Sequence, residues 1–142
     1  MVDLILVFIA RWLIFVLVFL ISLISFVKWG RFASVFKVLT AVLVVDIIAE
    51  VLKYVFNVAR PAVSSPLIVF DPAFPSAHTA VVAALGAIVF RRHKWLGFLL
   101  FILALLIGWS RVVLGAHYPV DIVGGFILGV LLGTCFAKCL KV

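Results

Sequence analysis

Apolar residues run through this chain in long stretches, and the polar and charged positions crowd into the gaps between them. Five stretches approach the roughly 20 residues that a membrane-crossing helix needs: Leu4–Val27, Phe36–Val58, Ser76–Phe90, Leu96–Val113 and Val120–Leu140. The third is short for a crossing. The first is too long for the apolar core of a signal peptide and lacks a small-residue cleavage site, so it reads as a span. No linker, low-complexity tract or internal repeat interrupts the pattern. It predicts a single membrane-embedded domain over residues 1–142, an all-α bundle of about five transmembrane helices.

Composition points the same way. Apolar residues make up 68% of the chain and charged residues 12%, with a mean hydropathy of +1.48. A soluble domain carries roughly 45–50% apolar and about 25% charged residues, and one small core cannot hide such an excess. With 9 Gly, 5 Pro and 2 Cys, the chain is neither collagenous nor disulfide-stapled. Cys135 and Cys139, four apart, read as a reduced pair on one helix face.

The net charge of +7, from 12 Lys and Arg against 5 Asp and Glu, could serve an anionic partner or orient spans. With so little polar surface the second reading prevails, and no nucleic-acid partner is expected. Lys28, Arg31 and Lys37 follow the first stretch, Arg91, Arg92 and Lys94 the third, and Lys138 and Lys141 close the chain. Five crossings put all eight on one side. The positive-inside rule makes that side cytoplasmic, flanked by Trp29 and Trp95, with the N-terminus outside the cell membrane.

Four basic residues are left over at or near the outer half: Arg11, Lys53, Arg60 and Arg111. Placing such a group inside a span costs about 2.5–3.5 kcal/mol, so each is a functional candidate. Asp46, Glu50, His78, His117 and Asp121 join them towards the same face. Asp46, Glu50, Lys53 and Asn57 recur at helical spacing, which predicts one polar stripe on the second span. Arg11 lies at matching depth on the antiparallel first span and is expected to pair with Glu50, or failing that with Asp46. The alternative is that Glu50 pairs with Lys53 on its own helix and Arg11 snorkels outward.

Three segments carry the chemistry. They are Lys53-Tyr-Val-Phe-Asn-Val-Ala-Arg60-Pro61, then Pro75-Ser76-Ala77-His78, then Ser110-Arg111 followed at fixed spacing by His117 and Asp121. Singly, each residue has an ordinary explanation as an interface anchor, a cap or a helix-start polar group. In this order and spacing they resemble the type 2 phosphatidic acid phosphatase superfamily of membrane lipid phosphatases. That family's pattern is K-x6-R-P, P-S-G-H and S-R-x5-H-x3-D. The first and third match at every fixed position, while Ala77 stands where the family usually has glycine. The resemblance covers about half the chain.

The resemblance implies that His117 is the nucleophile, forming a phosphohistidine, that Asp121 holds its other ring nitrogen, and that His78 protonates the leaving oxygen. Residue chemistry agrees independently on the anion site. Lys53, Arg60 and Arg111 can meet a phosphate's charge, while Ser76 and the free N–H groups of Ala77 and His78 open a helix N-terminus. No cofactor or metal is expected, since no carboxylate cluster suits Mg²⁺. The best substrate reading is a polyprenyl diphosphate cleaved to the monophosphate at the outer membrane face, with phosphatidic acid or phosphatidylglycerol phosphate as the alternative. A rival of another class is a non-catalytic lipid-phosphate binding or transport protein, which would need the cations but not the histidines. Membrane lipids are the expected surroundings, with no obligate protein partner.

The remaining features read as structural. Gly125, Gly129 and Gly133 form a small-residue stripe for packing against neighbouring helices. Tyr54, Trp109 and Tyr118 read as interface anchors, and His93 as a solvated loop residue. The loop Ala62–Phe74, with Leu67, Ile68, Phe70 and Phe74, is a candidate lid or lipid-facing rim.

Overall fold

The computed structural model describes residues 2–29, 32–61 and 71–139. The described residues form six helices: α1 (Val2–Arg11), α2 (Leu13–Trp29), α3 (Phe32–Phe56), α4 (Ala77–Phe90), α5 (Lys94–Val113) and α6 (Pro119–Cys139). They contain no strand. Each of the last four apolar stretches yields one helix, with ends shifted by a few residues. The first yields two, because the chain bends by 48° at Trp12. There Phe15 N–H donates back to the Trp12 carbonyl at 3.1 Å, a tighter closure than the α-helical one.

α5 and α6 are long and apolar enough to cross a membrane, and the bent α1–α2 pair taken as one makes a third such element. α3 has the length, at 25 residues, but carries Lys37, Asp46, Glu50 and Lys53. α4 has 14 residues, about 21 Å at 1.5 Å per residue. Its shortness is tolerated because it meets protein rather than lipid: Ala77 and every residue from Thr79 to Val89 are buried. α2, α3, α5 and α6 surround it.

The closest of these contacts is with α6. A Cβ at Gly125 would stand 2.4 Å from the Ser76 carbonyl oxygen, at Gly129 2.2 Å from that of Ala80, and at Gly133 2.5 Å from that of Ala84. The small-residue stripe therefore faces α4, as expected, and only residues without a side chain let the backbones approach so far. Outward faces stay apolar, with Phe15, Phe36, Leu105 and Leu131 exposed. Such a belt suits hydrocarbon and would not suit water. Cys135 and Cys139 are free and exposed on α6.

Two expectations fail. Glu50 pairs with Lys53 at 2.6 Å, while Arg11 is exposed and makes no ion pair with Glu50 or Asp46. Arg11 is the last residue of α1, so the bend leaves it at a helix end rather than within a straight span facing α3. Asn57 does not share a helical face with Lys53 either. α3 ends at Phe56, and Asn57 adopts φ +47°, its N–H donating to the Lys53 carbonyl at 2.8 Å. Asparagine tolerates this left-handed stop, and Pro61 disfavours helix at Arg60 just beyond.

Candidate active site

The C-terminal ends of α3 and α5 and the N-terminal ends of α4 and α6 meet at one end of the bundle. Ser76 N–H donates to the Asp121 carbonyl at 3.0 Å, joining the starts of α4 and α6. Lys53, in the last turn of α3, is only 6% exposed. Its Nζ lies 2.6 Å from Glu50 Oε1 and 2.5 Å from Asp71 Oδ2. Arg60 Nη2 donates to both Asp71 carboxylate oxygens at 3.0 Å. Its Nε donates to the Asp71 carbonyl at 2.7 Å, and Nη1 donates to the Ala116 carbonyl. Burial alone would raise the Asp71 carboxyl; the Lys53 hydrogen bond and the charges of Lys53 and Arg60 overcome it and hold the group below the usual carboxylate range.

On α5, Arg111 is 6% exposed, and its Nη1 donates to the Ala10 carbonyl at 2.9 Å. That carbonyl lies at the α1–α2 bend, so the irregularity of the first apolar stretch fixes an arginine of the site. Arg111 Nε has no acceptor among the described residues. The chain then turns through Gly115, whose φ of +70° a side chain would oppose, and Pro119 opens α6.

Asp121 is fully buried in the first turn of α6. Its Oδ2 accepts from the backbone N–H of Tyr118 at 2.8 Å, as in one half of a capping box. The same oxygen lies 3.3 Å from His117 Nδ1. This assigns the ring proton to Nδ1 and leaves Nε2 unprotonated, accepting from Arg60 Nη1 at 3.3 Å. Burial pulls His117 below the ordinary imidazole value, and the charges of Arg111 and Arg60 add to that; the hydrogen bond to Asp121 opposes it without reversing it.

A cavity of about 1040 Å³ joins these groups. Its head is lined by Lys53, Arg60, Asp71, His78, Arg111 and His117, with Ala77 beside them. Its body runs between α2 and α3, along Phe15, Val18, Phe19, Leu39, Val42 and Leu43. Of the expected site residues, all but two line this space. Asp121 stands behind His117, and Ser76 is fully buried, its hydroxyl accepting from Thr79 Oγ1 at 3.1 Å without capping α4. Among the described residues no three His, Cys, Asp or Glu side chains gather as metal ligands.

The motif reading passed over Asp71 and the Ala10 carbonyl. Asp71 had a signal, being the only acidic residue between Arg60 and His78 in a chain with five. The carbonyl had none. Of the loop considered as a lid, residues 62–70 lie outside the described residues. Phe74 packs edge-on against Phe56, ring centroids 5.1 Å apart.

Comparison with known proteins follows this geometry. The family model of the PAP2 superfamily matches residues 34–141. The putative undecaprenyl-diphosphatase YbjG of Escherichia coli (strain K12) is 34% identical over 112 residues, covering 72% of this chain and 57% of that protein. The undecaprenyl-diphosphatase BcrC of Bacillus subtilis (strain 168) is 37% identical over 68 residues, 48% of this chain and 35% of its own length. The bacitracin transport permease protein BcrC of Bacillus licheniformis is 44% identical over 61 residues, 43% of this chain and 30% of its own length. The chain thus spans from under a third to just over half the length of these relatives. A crystal structure of a transmembrane PAP2-type phosphatidylglycerolphosphate phosphatase from Bacillus subtilis superposes with a TM-score of 0.75. It is 22% identical, and the match covers 99% of this chain and 76% of that one. At that identity the likeness speaks for the fold alone.

Proposed function

We propose, from the premise that this chain belongs to the PAP2 superfamily, that it is a membrane lipid phosphatase acting through a phosphohistidine. The observation that carries the reading is the unprotonated Nε2 of His117, with Asp121 behind the ring and Arg60 in contact, at the cationic head of a cavity whose body is apolar. A phosphate ester would seat its oxygens on Lys53, Arg60 and Arg111, with N–H groups at the start of α4 as further donors. Its tail would follow the groove between α2 and α3.

In the first step His117 Nε2 attacks phosphorus. A P–N bond forms as the P–O bond to the lipid breaks, and His78 gives its proton to the departing oxygen. Asp121 stabilises the positive charge that the ring gains while phosphorylated. Water then attacks phosphorus, the P–N bond breaks, and the water proton passes to His78. Lys53, Arg60 and Arg111 neutralise the charge on the equatorial oxygens throughout, which is the main demand of phosphoryl transfer.

Among lipid phosphates, a polyprenyl diphosphate cleaved to its monophosphate is the best substrate reading. The names of the E. coli and B. subtilis relatives support it, as does an apolar groove for the tail. The site end of the bundle is read as the outer face, opposite Arg91, Arg92 and Lys94. The test is phosphate release by purified protein in detergent, compared across a polyprenyl diphosphate, phosphatidic acid and phosphatidylglycerol phosphate. The polyprenyl diphosphate is expected to turn over fastest, with a chelator leaving the rate unchanged and His117→Ala lowering it at least about a thousandfold. Loss below threefold would exclude His117 as nucleophile, and a faster phosphatidylglycerol phosphate would reassign the substrate.

A further inference from the structure

The motif accounts for the cations and histidines at the cavity head but not for the carboxylate on which two of those cations close. We propose that Asp71 is a resident anion, holding Lys53 and Arg60 in the free protein and giving way to the substrate's phosphate when it binds. The proposal rests on reading this cavity as a phosphate site.

Three charge-assisted contacts converge on the Asp71 carboxylate, two from Arg60 Nη2 at 3.0 Å and one from Lys53 Nζ at 2.5 Å. A fork plus an ammonium is the donor set that suits phosphate oxygens. Arg60 also reaches His117 Nε2, at 3.3 Å through Nη1. The carboxylate therefore stands one guanidinium away from the attacking nitrogen, on donors the reacting phosphate needs. Both anions cannot share those donors without placing like charges in contact.

Charge balance gives the reason for an acid here. Lys53, Arg60 and Arg111 bring three positive charges to the cavity head, and of the acids that line the cavity, Asp46, Glu50 and Asp71, it is Asp71 that pairs with two of those cations. The Lys53 and Arg60 side chains are each only 7% exposed, and buried cations left unpaired between turnovers would be costly. When the carboxylate leaves, Arg60 keeps its bonds to the carbonyls of Asp71 and Ala116, so the guanidinium stays aimed. Exchange also makes Asp71 a specificity-determining residue. Free phosphate must displace the carboxylate with its charge alone, whereas a lipid phosphate adds the burial of its tail in the groove.

The test uses the whole chain in detergent and reads inhibition by inorganic phosphate and by vanadate against a lipid substrate. In Asp71→Asn and Asp71→Ala the inhibition constant for phosphate is expected to fall at least fivefold, with the KM for lipid falling less. Competition in wild type that both variants leave unchanged or weaken overturns the proposal and leaves the phosphate-site reading standing. No competition in any of the three proteins removes that reading and the proposal with it. Should neither variant fold, wild type is coupled to an amine by carbodiimide with and without saturating vanadate. Greater labelling of Asp71 with vanadate supports exchange; equal or lesser labelling overturns it.

Discussion

At the scale of single residues the site depends on the state of His117. As the proposed nucleophile its ring must be neutral to attack, and burial, with Arg111 and Arg60, holds it below the ordinary imidazole value while Asp121 pulls the other way. A lowered value keeps the ring neutral to a lower pH, so the acid limb of kcat/KM is expected below about pH 6.5. Asp121→Asn removes the upward pull and the carboxylate that fixes the tautomer. The limb should then move further into acid while kcat falls on the order of a hundredfold or more. Profiles of kcat/KM from about pH 4.5 to 9 read both effects, and an acid limb above pH 7 in wild type would contradict the environment described. The motif residues were legible in the sequence because their identities and spacings are local properties. Asp71 carried only the signal of a lone acid between Arg60 and His78, because what distinguishes it is the contact with Lys53 and Arg60 that the fold creates.

At the scale of helices, α4 presents the site from inside the bundle, and α6 locks it there through backbone contact. Gly129 is the tightest point, since a Cβ there would meet both the Ala80 carbonyl and the Ala83 side chain, at 2.2 and 2.8 Å. Gly129→Leu is expected to cost about 1–3 kcal/mol and to lower both the melting temperature in detergent and the activity. Ile127→Ala, on the 54% exposed outer side of the same helix, is the control and should move neither. An unchanged melting temperature for the leucine variant would mean that the α4–α6 contact does not hold the fold. The glycine stripe announced a packing face, yet nothing along the chain said which helix would receive it. The break at Trp12 was equally hidden, lying in a stretch with neither Pro nor Gly. With it went the expectation for Arg11, which depended on a straight first span.

At the scale of the molecule, the site and the basic loop between α4 and α5 occupy opposite ends of α4. α6 likewise runs from the site to Cys139 over 21 residues, about 31 Å, the thickness of a bilayer's hydrocarbon core. If the site faces outward, Cys135 and Cys139 lie towards the cytoplasm, and they are the only cysteines of the chain. A membrane-impermeant maleimide should therefore leave intact cells unlabelled and label the protein once they are permeabilised. Labelling in intact cells would invert the orientation.

The sequence by itself determined the helical class and the membrane setting, and it named the cations and histidines that line the candidate site. These follow from hydropathy, charge and short-range spacing, which any local window of the chain carries. Only the tertiary structure decided that Glu50 serves Lys53 rather than Arg11, that Asp71 closes on two cations, and that a bent helix offers the Ala10 carbonyl to Arg111. Those pairings join residues up to 101 positions apart. In a low-dielectric interior a buried charge takes whichever partner packing brings within reach; spacing along one helix offered Lys53 to Glu50 but could not choose it over Arg11.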